Sequence, residues 1–202
     1  MTADDRPRRA AHRPSRRQEI IEAAIAVFAR EGISASIAEV AKESSMSQAS
    51  IYYHFKNKPE LFTACVSEVS RRIMNATSSH EPPDTFLHTK EAVDIVWTWA
   101  EHHREEAKLL YVWAVAGPPE AKAVRHRFEE YYVRKVRRRM RRFSGSTPLD
   151  HAVERLASRT YMTLAITVAE AWVDGHPLGG TLDQRRIAAA LAEISVRVTG
   201  VP

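Results

Sequence analysis

Two serine-led segments, beginning at Ser36 and Ser47, restrict the fold of this chain more than any other feature. The first, Ser36-Ile37-Ala38-Glu39, is a capping box. Its serine accepts a backbone amide of the first helical turn, and the glutamate three residues on reaches back to the serine's own amide. The helix it opens is expected to bury Ile37, Val40 and Ala41 and to end near Glu43. Ser44-Ser45-Met46 is too short for anything but a turn. Ser47 then offers a second cap, for a short helix expected to bury Ile51 and Tyr52. Two short helices joined in this way must cross steeply. The N-terminus of the second is left protruding, with free amides and the positive end of its dipole.

Such an end attracts phosphate and can enter a DNA major groove. Its residues here are Ser47, Gln48, Ala49 and Ser50. Gln48 can pair with an adenine edge, Ala49 can meet a thymine methyl, and the serines can bond to base or phosphate. Tyr52, Tyr53 and His54 follow one turn later, with hydroxyl and imidazole groups suited to phosphate, and Lys58 adds charge. An ordinary helical hairpin with solvated polar residues would carry the same helix signals.

The flanking sequence is helical too. Ile21, Ala24, Ile25 and Phe28 form an apolar stripe, with Ser15 as cap and Gly32 as stop, predicting a helix over 16–31. Lys56-Asn57-Lys58 is a polar break, and Pro59 suits the first position of a helix running through Leu61, Phe62, Cys65, Val69 and Ile73 to about Thr77. After a linker at Glu81-Pro82-Pro83-Asp84, helices are predicted at 85–102, 105–115, 119–143, 148–174 and 182–199, separated by Gly- and Pro-rich stretches. No strand pattern or internal repeat stands out. The expected fold is all-α, with about nine helices, divided near residue 80.

Composition narrows the function. Of 202 residues, 44% are hydrophobic, enough for a core, and the single Cys65 excludes an internal disulfide or a zinc site built on cysteines. Cys65 lies on an apolar stripe and reads as packed rather than reactive. No segment approaches the roughly 20 apolar residues of a membrane span, and Met1–Arg17 lacks the apolar stretch of a secretory signal, so a cytoplasmic location is expected. Neither a Gly-rich phosphate loop nor metal-ligand spacing is present, and no enzyme activity, metal or cofactor is expected. The net charge is +5. Residues 1–14 read as a disordered basic arm that seeks a polyanion, nucleic acid or anionic membrane, or is simply solvated. A second block, Arg134–Arg142, holds seven basic residues and no acid, and reads as a solvated helix end rather than a second DNA site.

Residues 17–62 also closely resemble the N-terminal domain of the TetR family of bacterial regulators. The resemblance rests on Ile21-Glu22-Ala23-Ala24, Phe28, Gly32, Ile37-Ala38-Glu39-Val40-Ala41, the run Ser47-Gln48-Ala49-Ser50-Ile51-Tyr52-Tyr53-His54-Phe55, and Lys58 with Leu61-Phe62. It implies that Ser47, Gln48, Ala49, Ser50, Tyr52, Tyr53 and His54 face DNA, and that Ser36 and Lys58 bond to phosphate. Two departures bear on operator choice: Ser45 and Ala49 stand where the family usually or often has glycine. A serine in a left-handed turn position would cost about 1–2 kcal/mol, which leaves a different turn conformation open. The arginines of the arm would lie in the minor groove or along phosphates.

The resemblance further implies a DNA-binding domain over 15–60 and a helical ligand-binding and dimerisation domain over 61–202. The function implied is a homodimeric regulator, a repressor by the family's common mode, that binds a near-palindromic double-stranded operator and is released by a small molecule. Stripes at Ile187, Ala190, Leu191, Ile194, Val198 and at Val153, Leu156, Leu164, Val168, Trp172 could form a four-helix interface or cover the chain's own core. Aromatic density marks Trp97, Trp113, Phe128, Tyr132 and Tyr161 as candidate ligand contacts, with plain core as the alternative for each. Glu170, like Asp94, would suit a cationic aromatic ligand if buried, and would reach the surface otherwise.

Overall fold

The computed structural model describes residues 15–78, 89–143, 150–175 and 184–199, and their regular structure is entirely helical. Helix α1 (Arg16–Glu31) starts where Ser15 Oγ accepts the Gln18 amide at 3.3 Å, and stops at Gly32. A 3-10 turn (Gly32–Ser34) leads to α2 (Ile37–Ser44), then α3 (Gln48–His54) and α4 (Lys58–Ser78). Asn57 Oδ1 accepts the Glu60 amide at 2.9 Å, so the polar break supplies the cap and Pro59 is the second helical residue rather than the first. Beyond come α5 (Thr89–His102), α6 (104–116), α7 (Pro119–Phe143), α8 (His151–Val173) and α9 (Gln184–Thr199), nine helices among the described residues. The arm, the linker at 81–84 and the later Gly/Pro separators at 144–148 and 176–180 lie outside the described residues.

The capping box forms in both directions: the Ser36 amide donates to Glu39 Oε2 at 2.6 Å, and the Glu39 amide to Ser36 Oγ at 3.2 Å. At the other end of α2, Ser45 does take the left-handed conformation, with φ 55 and ψ 33. The helix ends in a Schellman turn, in which the Met46 amide donates to the Ala41 carbonyl and the Ser45 amide to Lys42. Met46 packs on the hydrophobic core beside it and helps hold the turn in a geometry that serine itself disfavours.

Helix α6 departs from the single helix predicted over 105–115. Between Arg104–Lys108 and Ala114–Ala116 it widens into a π-helical turn, Leu109–Trp113. Five apolar residues in a row cannot all face one side of a regular α-helix. In the wider turn Leu109, Leu110 and Tyr111 are buried, while Val112 and Trp113 are half-buried against the core. Trp113 lies over the end of α1. Its Nε1 donates to the Ala29 carbonyl at 2.8 Å, and a Cβ on Gly32 would stand 2.6 Å from the Trp113 ring. Gly32 therefore answers two demands: its backbone (φ 64, ψ −152) is close to glycine-only, and its missing side chain makes room for the indole.

Helices α1–α3 form a head around Phe28, Val40, Ile51 and Phe55, and the same hydrophobic cluster continues through Phe62 and Val69 of α4 into Leu110 and Phe128 of the body. Charge crosses the same seam. Arg72 of α4 pairs with Glu22 of α1, with Glu68 at 3.0 Å, and with Glu106 of α6 at 3.1 Å. Cys65 is buried in this region, its Sγ 3.8 Å from the Ile21 carbonyl, and burial pushes its thiol well above the ordinary range. A second cluster, with Trp97, Met140, Tyr161, Ile187 and Leu191, closes the body, so Ile187 and Leu191 cover the chain's own core.

The basic block of α7 is not a uniformly solvated end. Arg141 grips Glu154 of α8 through two nitrogens, at 2.5 and 3.1 Å, and Arg137 and His151 approach the same carboxylate. Glu154 is 1% exposed, and the hydrogen bond from Arg141 holds its carboxyl below the usual range against the opposing effect of burial. A depressed folded-state value stabilises the fold above the ordinary carboxylate range, and that contribution is lost as pH falls through it. The melting-temperature difference between wild type and Glu154→Gln should therefore shrink as pH drops below roughly 4.3; a difference independent of pH would refute this.

The two turn positions predict opposite responses in urea unfolding. Ser45→Gly should raise stability by about 1 kcal/mol, and Gly32→Ala should lower it by about 3 kcal/mol or more. No gain at 45, or a neutral change at 32, would contradict these geometries.

Candidate nucleic-acid interface and cavity

Helix α3 is held by its inward face. Ile51 and Phe55, four residues apart, are both buried, and the Arg17 guanidinium stacks over the Phe55 ring at 4.7 Å to its centroid. Tyr52, expected to share the burial with Ile51, is 50% exposed, because the next position along a helix points about 100° away. Phe55 fills that place instead. The outward face carries Ser47, Gln48 and Ala49, all exposed, then Tyr52 and Tyr53, the latter 85% exposed. Ser50 and His54 are half-buried at its edges, and the His54 ring meets Tyr53 edge-on. Ser47 Oγ accepts the Ser50 amide at 3.1 Å, closing the cap predicted from sequence.

Two residues expected at phosphate have prior engagements. Ser36 Oγ donates its one proton to Glu39 at 2.7 Å, so a phosphate would have to displace that carboxylate. Lys58 Nζ donates to the Ala35 carbonyl at 3.1 Å, tying α4 to the start of α2, and keeps two further donors. The candidate interface is thus a ledge: an exposed amide-bearing helix end, a glutamine and two tyrosines, backed by buried apolar side chains.

In the body, α5, α7 and α8 enclose a cavity of about 1080 Å³ of atom-free space, counting the part open to solvent. Trp97, Phe128, Tyr132 and Tyr161 border it, with Tyr111 of α6, Thr77 of α4 and Leu191 of α9. The wall is mainly apolar, and Thr77 Oγ1 and Tyr132 Oη are hydrogen-bonded at 2.8 Å. Trp113 stands outside this lining, because its indole is committed to Ala29 and Gly32. Glu170 is outside it as well, since Arg125 turns the carboxylate away into an ion pair; burial pushes the Glu170 carboxyl up while Arg125 opposes this. Asp94 is half-buried and likewise not part of the wall. Sequence reasoning missed Lys135 and Arg139, which do border the cavity. Their signal was spacing: Phe128, Tyr132, Lys135 and Arg139 recur at intervals of four, three and four along one face of α7.

On α8 the face turned away from the body leaves Val153 and Leu156 exposed, at 53% and 69%, alongside Thr160 and Thr163. Leu164, Val168 and Trp172 of the same predicted stripe pack inward. Among the described residues no helix is long and apolar enough to cross a membrane.

Comparison with known proteins agrees with this geometry. Residues 20–65 match the model of bacterial regulatory proteins of the tetR family. The chain is 29% identical to the HTH-type nicotine-responsive transcriptional repressor HdnoR of Paenarthrobacter nicotinovorans, over 57% of this chain and 63% of the relative. It is 34% identical to a probable acrEF/envCD operon repressor of Escherichia coli over 33% of each chain. The chain thus spans less than two thirds of the length of these curated relatives. Similar solved structures include a tetR-family transcriptional regulator from Streptomyces coelicolor (TM-score 0.71, 18% identity, 91% of this chain and 79% of that one). The fold is equally like that of FadR from Bacillus subtilis in complex with stearoyl-CoA (TM-score 0.71, 16% identity, 92% of this chain and 99% of that one). Residues 20–65 thus carry a head of the kind found in bacterial regulatory proteins of the tetR family, and the whole chain shares the all-helical fold of these solved structures.

Proposed function

We propose that the protein is a ligand-responsive transcriptional regulator that acts in the cytoplasm as a homodimer on a near-palindromic operator and represses from it. The observation that carries this reading is the ledge of α3, where Ser47, Gln48, Ala49, Tyr52 and Tyr53 stand exposed while Ile51 and Phe55 anchor the helix from behind. Gln48 is the base-reading side chain, through its paired donor and acceptor. Tyr52, Tyr53, His54 and Lys58 set the register on phosphates, and Ser47, Ala49 and Ser50 fit the helix end into the groove. The outward apolar residues of α8, Val153 and Leu156, form the centre of the dimer contact, with α9 beside them. The arginines of residues 1–14 add phosphate or minor-groove contacts.

The cavity is the regulatory site. Tyr111, at its wall, belongs to the same π-helical turn as Trp113, which holds the end of α1. A ligand that displaces Tyr111 must shift that turn, and with it the seat of the head. Release of DNA then follows to the extent that the ligand binds one head spacing more tightly than the other.

Selection of bound duplexes from random DNA by the full-length protein tests the reading. It should enrich a palindrome whose half-sites are centred roughly 34–36 Å apart. Gln48→Ala should then relax the preference at one base pair per half-site, while Lys58→Ala weakens all duplexes about equally. Enrichment of no palindrome at low salt would overturn the proposal.

A further inference from the structure

Two hydrogen-bond donors on the cavity wall stand without an acceptor among the described residues. Tyr111 of α6 and Trp97 of α5 both border the space, and each is 5% exposed. Neither the Tyr111 hydroxyl nor the Trp97 indole nitrogen has a hydrogen-bond partner there, and neither atom is sealed from accessible space. Their ring neighbours meet them edge to face: Phe128 against Tyr111 at 6.1 Å between centroids, and Trp172 against Trp97 at 5.4 Å. The other polar side chains of the wall are engaged. Tyr132 Oη is hydrogen-bonded to Thr77 Oγ1, Lys135 Nζ lies over the Tyr131 ring at 5.2 Å, and Arg139 and Tyr161 have partners of their own. Buried donors are nearly always paired, so two left open on one wall mark where an acceptor arrives from outside the fold.

We infer that the cavity takes an uncharged, mainly apolar molecule carrying carbonyl oxygen for the Tyr111 hydroxyl and the Trp97 indole N–H. As a statement about regulation, this rests on the cavity being the regulatory site. The donors fix the direction of the hydrogen bonds. An indole N–H can only donate. Burial pushes the Tyr111 hydroxyl above its ordinary range, so it stays protonated and donates as well. The ligand must therefore bring acceptors, and a carbonyl oxygen has two lone pairs and no proton of its own. The absence of charge follows from the rest of the wall. It is largely aliphatic and aromatic, and its cations are already engaged, so an ion of either sign would give up water without gaining an open counter-charge. Tyr111 also belongs to the π-helical turn of Trp113, so a bond to its hydroxyl pulls on the segment that seats the head.

The test titrates four molecules built on the same pair of phenyl rings into the full-length protein: benzophenone, diphenylmethane, diphenylacetate and diphenylmethylammonium, with binding read by calorimetry. Each ion should bind about ten-fold more weakly than benzophenone. The carbonyl stretch of bound benzophenone, read by infrared spectroscopy, should lie at lower wavenumber than in hexane, as in a hydrogen-bonded ketone. Tyr111→Phe combined with Trp97→Phe should return the stretch to its hexane position and weaken benzophenone relative to diphenylmethane by about five-fold. The two single variants apportion that effect between the donors. A hexane-like stretch in the wild-type protein, or an ion that binds as tightly as benzophenone, would overturn the inference whether or not the double variant folds. An unchanged stretch in a folded double variant would overturn it too. Binding of none of the four would remove the cavity from the regulatory reading and this inference with it, while leaving operator recognition to stand on the duplex selection. Benzophenone held by these donors without any change in affinity for the selected duplex would uphold the ligand class and overturn the regulatory reading alone.

Discussion

Gly32 leaves nothing between the end of α1 and the Trp113 ring, and the rest of the structure is arranged around that contact. Besides this contact, α1 packs against α4 and against the Arg104–Lys108 stretch of α6. It is fixed at its last turn by an indole hydrogen bond to Ala29 and further along by the Arg72 ion pairs to Glu22, Glu68 and Glu106. The ion pairs are partly exposed and contribute modestly on their own. The indole contact is part of a continuous hydrophobic cluster. A head held at two points along α1 keeps the direction of α3 as a property of the body.

The same π-helical turn faces two ways. Tyr111 borders the cavity, and Trp113, two residues on, faces the head. A regular helix would rotate these positions about 200° apart, and the wider turn changes that angle while keeping both against packed surfaces. The cavity wall therefore shares a backbone segment with the seat of the head. Charge is distributed just as unevenly along α7: Arg141 and Arg137 hold the buried Glu154, while Lys135 and Arg139 border the cavity. One run of basic residues thus serves both a buried ion pair and the cavity wall.

Much of the head was legible in the sequence because its signals are local. Ser15, the Ser36–Glu39 box, Ser47 and Gly32 each act within four residues, and the bounds of α1 and α7 follow from periodicity and its stops. What escaped depends on distant contacts. The Schellman turn keeps Ser45 left-handed with help from Met46 on the core, so local cost alone misjudged it. Tyr52 and Phe55 are alternative partners for Ile51, and the packing of α3 on the head decides between them. Trp113 reads as a ligand contact until Ala29 and Gly32, more than eighty residues earlier, are brought beneath it. The basic block of α7 looks uniform until α8 supplies Glu154 on one face and α5 and α8 close the cavity on another.

The body seats the head through Trp113. Hydrogen exchange followed by mass spectrometry on the wild-type protein and on Trp113→Ala tests it most directly. Exchange should be faster in the last turn of α1 and in α2 and α3, far in sequence from the substituted residue, with α8 and α9 unchanged. Acceleration confined to α6, with the head as protected as before, would contradict it.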